Sequence, residues 1–311
     1  MAKLFEPLVV RGLTARNRIW IAPMCQYSCE NQDGIPSNWH LVHLGSRAIG
    51  GAGVVIAEAT AIRPDGRISA WDTGIWNEEQ VAAWKPVTDF IRETGALSAI
   101  QLAHAGRKAS IYRAWSGEGA MSESVGGWQP VSSTSEAFPD YNTPHELTTE
   151  EVYELIDEFV AAASRSVRAG FDMVEIHAAH GYLVHQFLSP ITNKRTDEFG
   201  GSKLARAKFL VEMVRKMREA IGETPILIRF SATDYHEGGF TVEDCIEVAR
   251  WCYEQGADLF DISSGGLITG VKIPLGPGYQ VPLSKQISAE ITQPVSAVGL
   301  ITDSHQAEEI L

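Results

Sequence analysis

The chain has 311 residues, of which 44% are hydrophobic and 21% charged, which is ordinary for a globular protein. This length suits one α/β barrel or two smaller domains. The formal net charge of −13 argues against nucleic acids and anionic membranes as partners, and no apolar run reaches the length of a membrane span. Four cysteines in so long a chain do not form a disulfide framework, so we expect a protein of the reducing cytoplasm.

The N-terminal third predicts a hairpin and then an alternation of strands and helices. Residues 1–18 predict a hairpin that turns at Arg11 and Gly12. The apolar run from Ile19 to Cys25 predicts the first strand of a larger sheet, and Pro23 ends its regular pairing because proline has no N–H to donate. The next predicted elements are a helix over 38–49, a strand over 54–60, a helix over 78–94 and a strand over 98–102.

A long segment without periodicity interrupts this alternation. Residues 109–147 are rich in Ser, Gly and Trp, and a loop of this length in a compact domain usually serves function, so we predict a lid or a substrate-binding excursion. The alternation resumes at Thr148, which forms a capping box with Glu151. The predicted elements that follow are a helix to Ala169, a strand from Val174, a helix over 202–221, a strand over 225–231, a helix over 242–255, strands over 259–263 and 294–298, and a last helix from Thr302 to Leu311.

This order of elements predicts one α/β domain over residues 1–311. Alternating strands and helices favour a parallel sheet with right-handed crossovers. Seven strands, each followed by polar residues at its C-terminal end, favour a TIM (β/α)₈ barrel over a doubly wound sheet. No G-x-G-x-x-G follows the first strand, which weakens a dinucleotide-binding interpretation.

The clearest candidate site lies after the strand that begins at Val174. This strand ends in His177, His180 and Tyr182, so two imidazoles could direct N–H donors at one oxygen while the phenol supplies a proton. A histidine at a strand end is more often a satisfied structural residue. The pair could also be half of a metal site, which needs three or four ligands, so a metal-dependent lyase or hydrolase stays open.

The other strand ends carry donors rather than carboxylates. No carboxylate pair stands there, which argues against a glycosidase, and no central lysine does, which argues against a Schiff-base aldolase. Amide, guanidinium, imidazole and phenol donors suit an electron-rich planar ring and a carbonyl substrate. The residues at the remaining strand ends are Cys25, Tyr27, Ala59, Thr60, Gln101, Arg229 and Gly299.

Four motifs in this order resemble the old yellow enzyme family of NADH:flavin oxidoreductases. They lie at 22–27 (APMCQY), 101–108 (QLAHAGRK), 177–183 (HAAHGYL) and 189–197 (SPITNKRTD). The resemblance covers essentially the whole chain. Cys25 on the first strand and the His-x-x-His spacing of His177 and His180 resemble the bacterial thermophilic-like or xenobiotic-reductase subgroup.

The resemblance implies FMN as cofactor, NADPH or NADH as reductant, and reduction of the activated C=C bond of a small-molecule substrate. His177 and His180 would hold the substrate carbonyl, Tyr27 would touch the substrate, and Tyr182 would protonate the α-carbon after hydride transfer to the β-carbon. The family's habit implies a homodimer or homotetramer. The residues that the resemblance places at the flavin are Ala22, Pro23, Met24, Cys25, Ala59, Gln101, Arg229 and Gly299, with Gln101 at the pyrimidine end and Arg229 near the N1–O2 edge.

One departure from the family concerns the end of the barrel. The family has an eighth strand with a Gly-Arg pair that grips the flavin phosphate, whereas the given sequence has Gly299 in its seventh strand region and no later Gly-Arg. We therefore expect the eighth strand to be absent from these residues and FMN to be held by them weakly or not at all. A flavin-free fragment is kept as an alternative.

Overall fold

A parallel sheet of seven strands forms the centre of the structure, a computed structural model that describes residues 2–311. Its strands lie side by side in chain order, and the sheet curls into a half-barrel. The strands are β1 (Leu8–Val10), β2 (Leu13–Ala15), β3 (Trp20–Ile21), β4 (Val54–Ala61), β5 (Leu97–Ala103), β6 (Val131–Ser132), β7 (His145–Glu146), β8 (Met173–Ala178), β9 (Ile226–Ser231), β10 (Leu259–Ser263) and β11 (Val295–Ala297), and the central sheet has the order β11-β10-β9-β8-β5-β4-β3.

Helices cover the outer face of this sheet, and side-chain caps fix where most of them begin. The N-caps Ser37, Asn77, Thr148, Ser202 and Thr241 each accept a bond from a backbone N–H of the first turn, which satisfies a donor that has no partner within the helix. The helices are α1 (Asn38–Ile49), α2 (Glu78–Glu93), α3 (Thr149–Arg168), α4 (Leu183–Leu188), α5 (Lys203–Ile221), α6 (Val242–Glu254), α7 (Val281–Ser288) and α8 (Ser304–Ile310).

The hairpin of β1 and β2 closes the N-terminal end of the curled sheet. Val10 and Ala15 are buried in one apolar cluster with residues that begin the central strands, among them Met173 and Leu227. Arg11, at the turn of the hairpin, forms an ion pair of 2.7 Å with the carboxylate that precedes β10. The hairpin therefore supplies the floor of the interior, and the opposite end, where the strands have their C-termini, is left for a site.

Several element boundaries differ from the sequence prediction. The first strand was predicted over Ile19 to Cys25, but only Trp20–Ile21 pairs with β4, because the backbone leaves the sheet before Pro23. The last helix begins at Ser304 after the N-cap Asp303, rather than at Thr302, because the Asp303 carboxylate accepts the free N–H groups of the first turn. Helices α4 and α7 had no sequence prediction.

Residues 109–147 contain only the two-residue strands β6 and β7 and single turns. This segment packs over α4, where Ser132 Oγ donates to Gln186 Oε1 at 2.9 Å. Within residues 2–311, β3 and β11 each pair with one neighbour, so the central sheet of this part of the chain has two free edges. No helix in the same residues is both long and apolar enough to cross a membrane.

Candidate active site

The three residues of the strongest sequence motif come together at the C-terminal end of β8. The ring of His177 lies 5.2 Å from the ring of His180 and 5.0 Å from the ring of Tyr182, measured between centroids. His177 is the fifth residue of β8, His180 follows with a left-handed backbone (φ +58°), and Tyr182 is the N-cap of α4. A left-handed conformation at a non-glycine residue costs free energy and is common at functional sites.

Bonds to neighbouring loops hold this turn in place. The backbone N–H of His180 donates to Ser231 Oγ at 2.9 Å. Lys108 Nζ donates to the carbonyls of His180 and Gly266, both at 2.9 Å. Lys108 belongs to the second sequence motif but was not predicted as a site residue. Burial lowers the pKa of Lys108 to about 8, although its bonds to two carbonyls suit the charged form.

Burial decides the protonation states of the three rings. Desolvation lowers the pKa of His177, with a further contribution from His180, and lowers the pKa of His180, with a further contribution from Arg229. Both imidazoles are therefore neutral at physiological pH. Burial also raises the pKa of Tyr182 well above its ordinary value, so its hydroxyl keeps its proton.

Two polar pairs lie deeper on the neighbouring strands. Gln101 on β5 donates from Nε2 to Glu175 Oε1 at 2.8 Å, and Arg229 Nε lies 3.0 Å from Asp261 Oδ2. Arg229 is directly beside His177 in the register of β8 and β9. Burial, reinforced by Asp261, raises the pKa of Glu175 to about 8. Neither carboxylate was predicted, because each lies inside an apolar strand and not at its end.

The loop after β3 forms the side wall of the site. Cys25 and Tyr27 pack with Tyr182 against a small apolar cluster that contains Ala59. Burial raises the pKa of the Cys25 thiol, which therefore stays protonated. A bond to β4 anchors this loop, because Glu58 Oε2 on that strand accepts the backbone N–H of Gln26 at 2.7 Å.

The remaining predicted residues are less closely grouped. Ala22 and Pro23 are half-buried, whereas Met24 has 46% of its surface exposed. Gly299 follows β11 at the far edge of the sheet, with φ +117°. A Cβ atom at this position would lie 2.8 Å from Gln280 Nε2.

Ser263 and Gln280 are site residues that the sequence did not reveal. His180 Nε2 lies 2.7 Å from Ser263 Oγ, which in turn donates to Gln280 Oε1 at 3.0 Å. Ser263 is the last residue of β10, so the rule of reading each strand's C-terminal end would have found it. No sequence pattern marked Gln280 as a site residue, because it lies in an irregular segment before α7.

The residues present fit a flavin. Gln101, Arg229 and His177 supply amide, guanidinium and imidazole groups on adjacent strands, a donor set that suits a polar ring with several acceptor atoms. His177 Nδ1, in this set, and Oε2 of the neighbouring Glu175 are buried and have no hydrogen-bond partner within the protein. Among residues 2–311 there is no group of three or more His, Cys, Asp or Glu that could hold a metal, so His177 and His180 have no third candidate ligand there.

Fold and site together define a barrel-type α/β enzyme with a donor-lined site at the C-terminal ends of its strands. A family model described as "NADH:flavin oxidoreductase / NADH oxidase family" matches residues 3–311, and the chain belongs to this family. It is accordingly an NAD(P)H-dependent flavin oxidoreductase whose flavin is FMN. The predicted cofactor and class of enzyme are confirmed.

Individual relatives and solved structures support the assignment of this chain to the NADH:flavin oxidoreductase family. An NADPH dehydrogenase of Listeria monocytogenes serotype 4b is 46% identical over 312 residues, which cover 100% of this chain and 87% of the relative. A complex of 2-naphthoyl-CoA reductase with 2-naphthoyl-CoA superposes with a TM-score of 0.89 at 31% identity and covers 99% of this chain, which spans 48% of that reductase.

An old yellow enzyme homologue from Zymomonas mobilis superposes with a TM-score of 0.82 at 28% identity, over 99% of this chain and 86% of the homologue. The predicted resemblance to the old yellow enzyme family and the predicted TIM-barrel fold are therefore confirmed.

Proposed function

We propose that the protein is an ene-reductase, which reduces the activated C=C bond of α,β-unsaturated carbonyl compounds with NADPH or NADH. The observation that carries this proposal is the grouping at the end of β8, where the ring centroid of His177 lies 5.2 Å from that of His180 and 5.0 Å from that of Tyr182. Cys25 and Tyr27 pack beside Tyr182. The names of similar proteins add support, since they include an NADPH dehydrogenase and an old yellow enzyme homologue.

FMN would be held by residues from both edges of the sheet. When bound, it supplies the hydride for the substrate and receives one from the nicotinamide. Arg229 carries a fixed charge beside His177 and would stabilise negative charge on the pyrimidine part of the ring, to which Gln101 would also bond. The full set of proposed FMN contacts is Ala22, Pro23, Met24, Cys25, Ala59, Gln101, Arg229 and Gly299.

The substrate carbonyl would lie against the His177 and His180 pair. A donor at the carbonyl oxygen draws electron density from the alkene and makes its β-carbon a better hydride acceptor. Neutral imidazoles suit this role because they donate without bringing a buried charge. Tyr27, on the wall formed by the loop after β3, would contact the substrate.

Tyr182 would deliver the proton to the α-carbon. Its hydroxyl belongs to the same group of rings and keeps its proton across the physiological range, because burial raises its pKa. The phenol can therefore act as an acid only when a strong base, such as the carbanion-like carbon of the reduced substrate, forms beside it.

The histidine pair gives the first test. We expect His177→Ala and His180→Ala each to slow reduction of an enone by about a hundredfold, the usual cost of losing one donor to a developing oxyanion. Steady-state kcat and KM with cyclohexenone and NADPH measure this. His305→Ala, at an exposed histidine of α8, is the control. Unchanged turnover in both site variants would remove the pair from the mechanism.

The extent of the domain, its cellular location and its assembly state are also proposed. We propose that residues 1–311 form a single FMN-binding unit, that it acts in the cytoplasm, and that it assembles as a homodimer or homotetramer. The free state of all four cysteines in the structure is compatible with a reducing compartment. Light scattering of the FMN-loaded protein measures the assembly state.

A further inference from the structure

A buried imidazole and a buried carboxylate lie against residues 180–182, the turn that carries two of the three active-site rings. The side chains of His185, in α4, and Asp234, after β9, have no exposed surface, and His185 Nε2 lies 2.9 Å from Asp234 Oδ1. The other oxygen, Oδ2, accepts from Ser189 Oγ at 2.6 Å and from the backbone N–H of Phe240 at 2.7 Å. Both oxygens of Asp234 therefore face donors, as a buried carboxylate requires.

The backbone of the turn fixes which nitrogen of His185 carries the proton. The N–H of Gly181 donates to His185 Nδ1 at 3.0 Å, and a backbone N–H cannot accept. Nδ1 must therefore keep a lone pair, so the ring is neutral and its proton is on Nε2, which faces Asp234. Turning the ring over would place carbon atoms at both contacts, so its orientation is determined as well.

The carboxylate of Asp234 favours this tautomer. Burial acts to raise the pKa of Asp234, whereas the neighbouring His185 acts to lower it. With the further bonds from Ser189 and Phe240, the pKa of Asp234 lies below its ordinary value, so the group is ionised. An ionised carboxylate only accepts, so the imidazole nitrogen that faces it must be the one with the proton.

The turn needs such anchors because of its backbone conformation. The backbone is left-handed at His180 (φ +58°) and at Gly181 (φ +73°), which costs free energy at a residue other than glycine. The turn also packs closely, since a Cβ atom at Gly181 would lie 2.3 Å from the carbonyl oxygen of Gly266. The bond from Gly181 to His185 lies between His180 and Tyr182 in the chain, so its loss would change the placement of both side chains.

We propose that His185 and Asp234 are positioning residues for this turn, and that Asp234 acts through the proton of His185. The carboxylate keeps this proton on Nε2, Nδ1 then accepts from Gly181, and the rings on either side of Gly181 keep their places in the site. The inference rests on the proposed function, since it takes His180 and Tyr182 as the groups that act on the substrate.

Asp234→Asn should reverse the tautomer, although it only exchanges one oxygen for an N–H₂ group. Two donors face Oδ2, and one of them is the backbone N–H of Phe240, so the amide oxygen of the asparagine must lie there. The N–H₂ group then faces His185 Nε2 and needs an acceptor. The ring can accept only if its proton moves to Nδ1, where it meets the N–H of Gly181 and breaks that bond.

The bond between Gly181 and His185 is the first measurement. In the FMN-loaded protein labelled with ¹⁵N, a scalar coupling across the hydrogen bond should join the Gly181 amide nitrogen to His185 Nδ1, with the imidazole proton on Nε2. Asp234→Asn should abolish this coupling. Ser189→Ala is the matched control, because it removes a neutral donor to Asp234 but leaves the carboxylate, so the coupling should persist. A proton on Nδ1 in the parent protein, or an unchanged coupling in Asp234→Asn, overturns the inference.

Reoxidation of the reduced flavin by cyclohexenone is the second measurement, made by stopped-flow absorbance. Asp234→Asn and His185→Phe should each slow it by roughly tenfold, between the effect of one lost hydrogen bond and that of a misplacement of about 1 Å. The dissociation constant of FMN should not change, since neither residue is among the proposed FMN contacts. The double variant should be no slower than His185→Phe, because Asp234 acts through His185. Ser189→Ala should react like the parent.

Additive losses in the double variant, or parent-like reoxidation in either single variant, overturn the inference. The absorbance of bound flavin and the melting temperature show which variants are folded, and the coupling in the parent protein tests the inference even where a variant is not. Failure of the proposed function has a different signature, which is normal enone turnover in His177→Ala and His180→Ala.

Discussion

Protons at the active site are placed by burial rather than by charged partners. His177, His180 and Tyr182 all keep their neutral forms because desolvation penalises the ions. Neutral groups can donate and accept in turn without a change of net charge inside a poorly solvated site. Such a site suits a reaction in which charge develops on the flavin and on the substrate oxygen and not on the protein.

Replacing the phenol tests the proposed proton donor. Tyr182→Phe keeps the ring that packs against His177 and removes the proton. We expect reoxidation of the reduced flavin by cyclohexenone to slow by roughly 10²-fold, the usual contribution of a general acid, with little change in flavin reduction by NADPH. Stopped-flow absorbance separates the two steps. Tyr153→Phe on α3 is the control, and equal reoxidation rates in Tyr182→Phe and parent would assign the proton to another group.

Cys25 is expected to tune the flavin rather than to act as a nucleophile. Burial raises the pKa of its thiol, so little thiolate is available. Cys25→Ser should shift the reduction potential of bound FMN and retain turnover within about tenfold. Spectroelectrochemistry measures the potential, and Cys29→Ser, at a buried thiol of the same loop, is the control. Complete loss of turnover with FMN still bound would contradict this expectation.

Site residues that are close in sequence were predictable, and their distant partners were not. His177, His180 and Tyr182 lie within six positions, so the pattern alone grouped them. The partners Ser263 and Gln280 lie on other elements, and Ser263 is 83 positions from His180. Ser263 could have been found as a strand-end residue, but only the fold shows that it lies 2.7 Å from His180 and donates to Gln280.

At the scale of elements, the buried central strands were predicted well because their runs of apolar residues end at turns. The structure places β4, β5, β9 and β10 within two residues of the predicted bounds. Helices α4 and α7 were not predicted from the sequence, for different reasons. Every residue of α4 is buried, so it has no polar face to reveal a helical period, and α7 is short and begins with a proline in its first turn.

The hairpin offers a stability test with a matched pair of neighbours. Val10 is 2% exposed in the cluster at the floor of the interior, whereas Val9 is 59% exposed. Val10→Ala should lower the free energy of unfolding by about 2 kcal/mol, from two lost methylenes at about 0.8 kcal/mol each and a small cavity. Val9→Ala should change it by less than about 0.5 kcal/mol. Urea unfolding measures both, and equal effects would show that the hairpin is not part of the core.

For the whole molecule, a buried histidine predicts loss of stability in mild acid. Burial lowers the pKa of His104, at the end of β5, to about 4 from an ordinary 6.5. Below pH 6.5 the side chain of His104 is protonated in the unfolded chain, whereas in the folded protein it stays neutral down to about pH 4. The contribution of His104 is therefore complete above pH 6.5 and is lost as the pH falls toward 4, by up to about 1.4 kcal/mol per pH unit.

A variant isolates this effect from groups of opposite sign. The pKa of Asp72 is raised to about 7 and that of Glu175 to about 8, mainly by burial, so both groups favour the folded state as the pH falls. His104→Asn keeps an acceptor for the Gly106 N–H but does not titrate. Urea unfolding between pH 7 and 4.5 should show a smaller loss of stability in the variant, and identical pH dependence would contradict the assignment.

The hairpin also limits the order in which the molecule can assemble. Each central strand pairs with the one before it in the sheet, whereas the hairpin joins Arg11 to Asp258, 247 positions away. Closing so long a loop costs entropy that is recovered only after the later strands have formed. Docking of the hairpin should then follow the folding transition state. We expect Val10→Ala to accelerate unfolding while its refolding rate stays nearly that of the parent, and slower refolding in denaturant-jump experiments would instead place the hairpin in the folding nucleus.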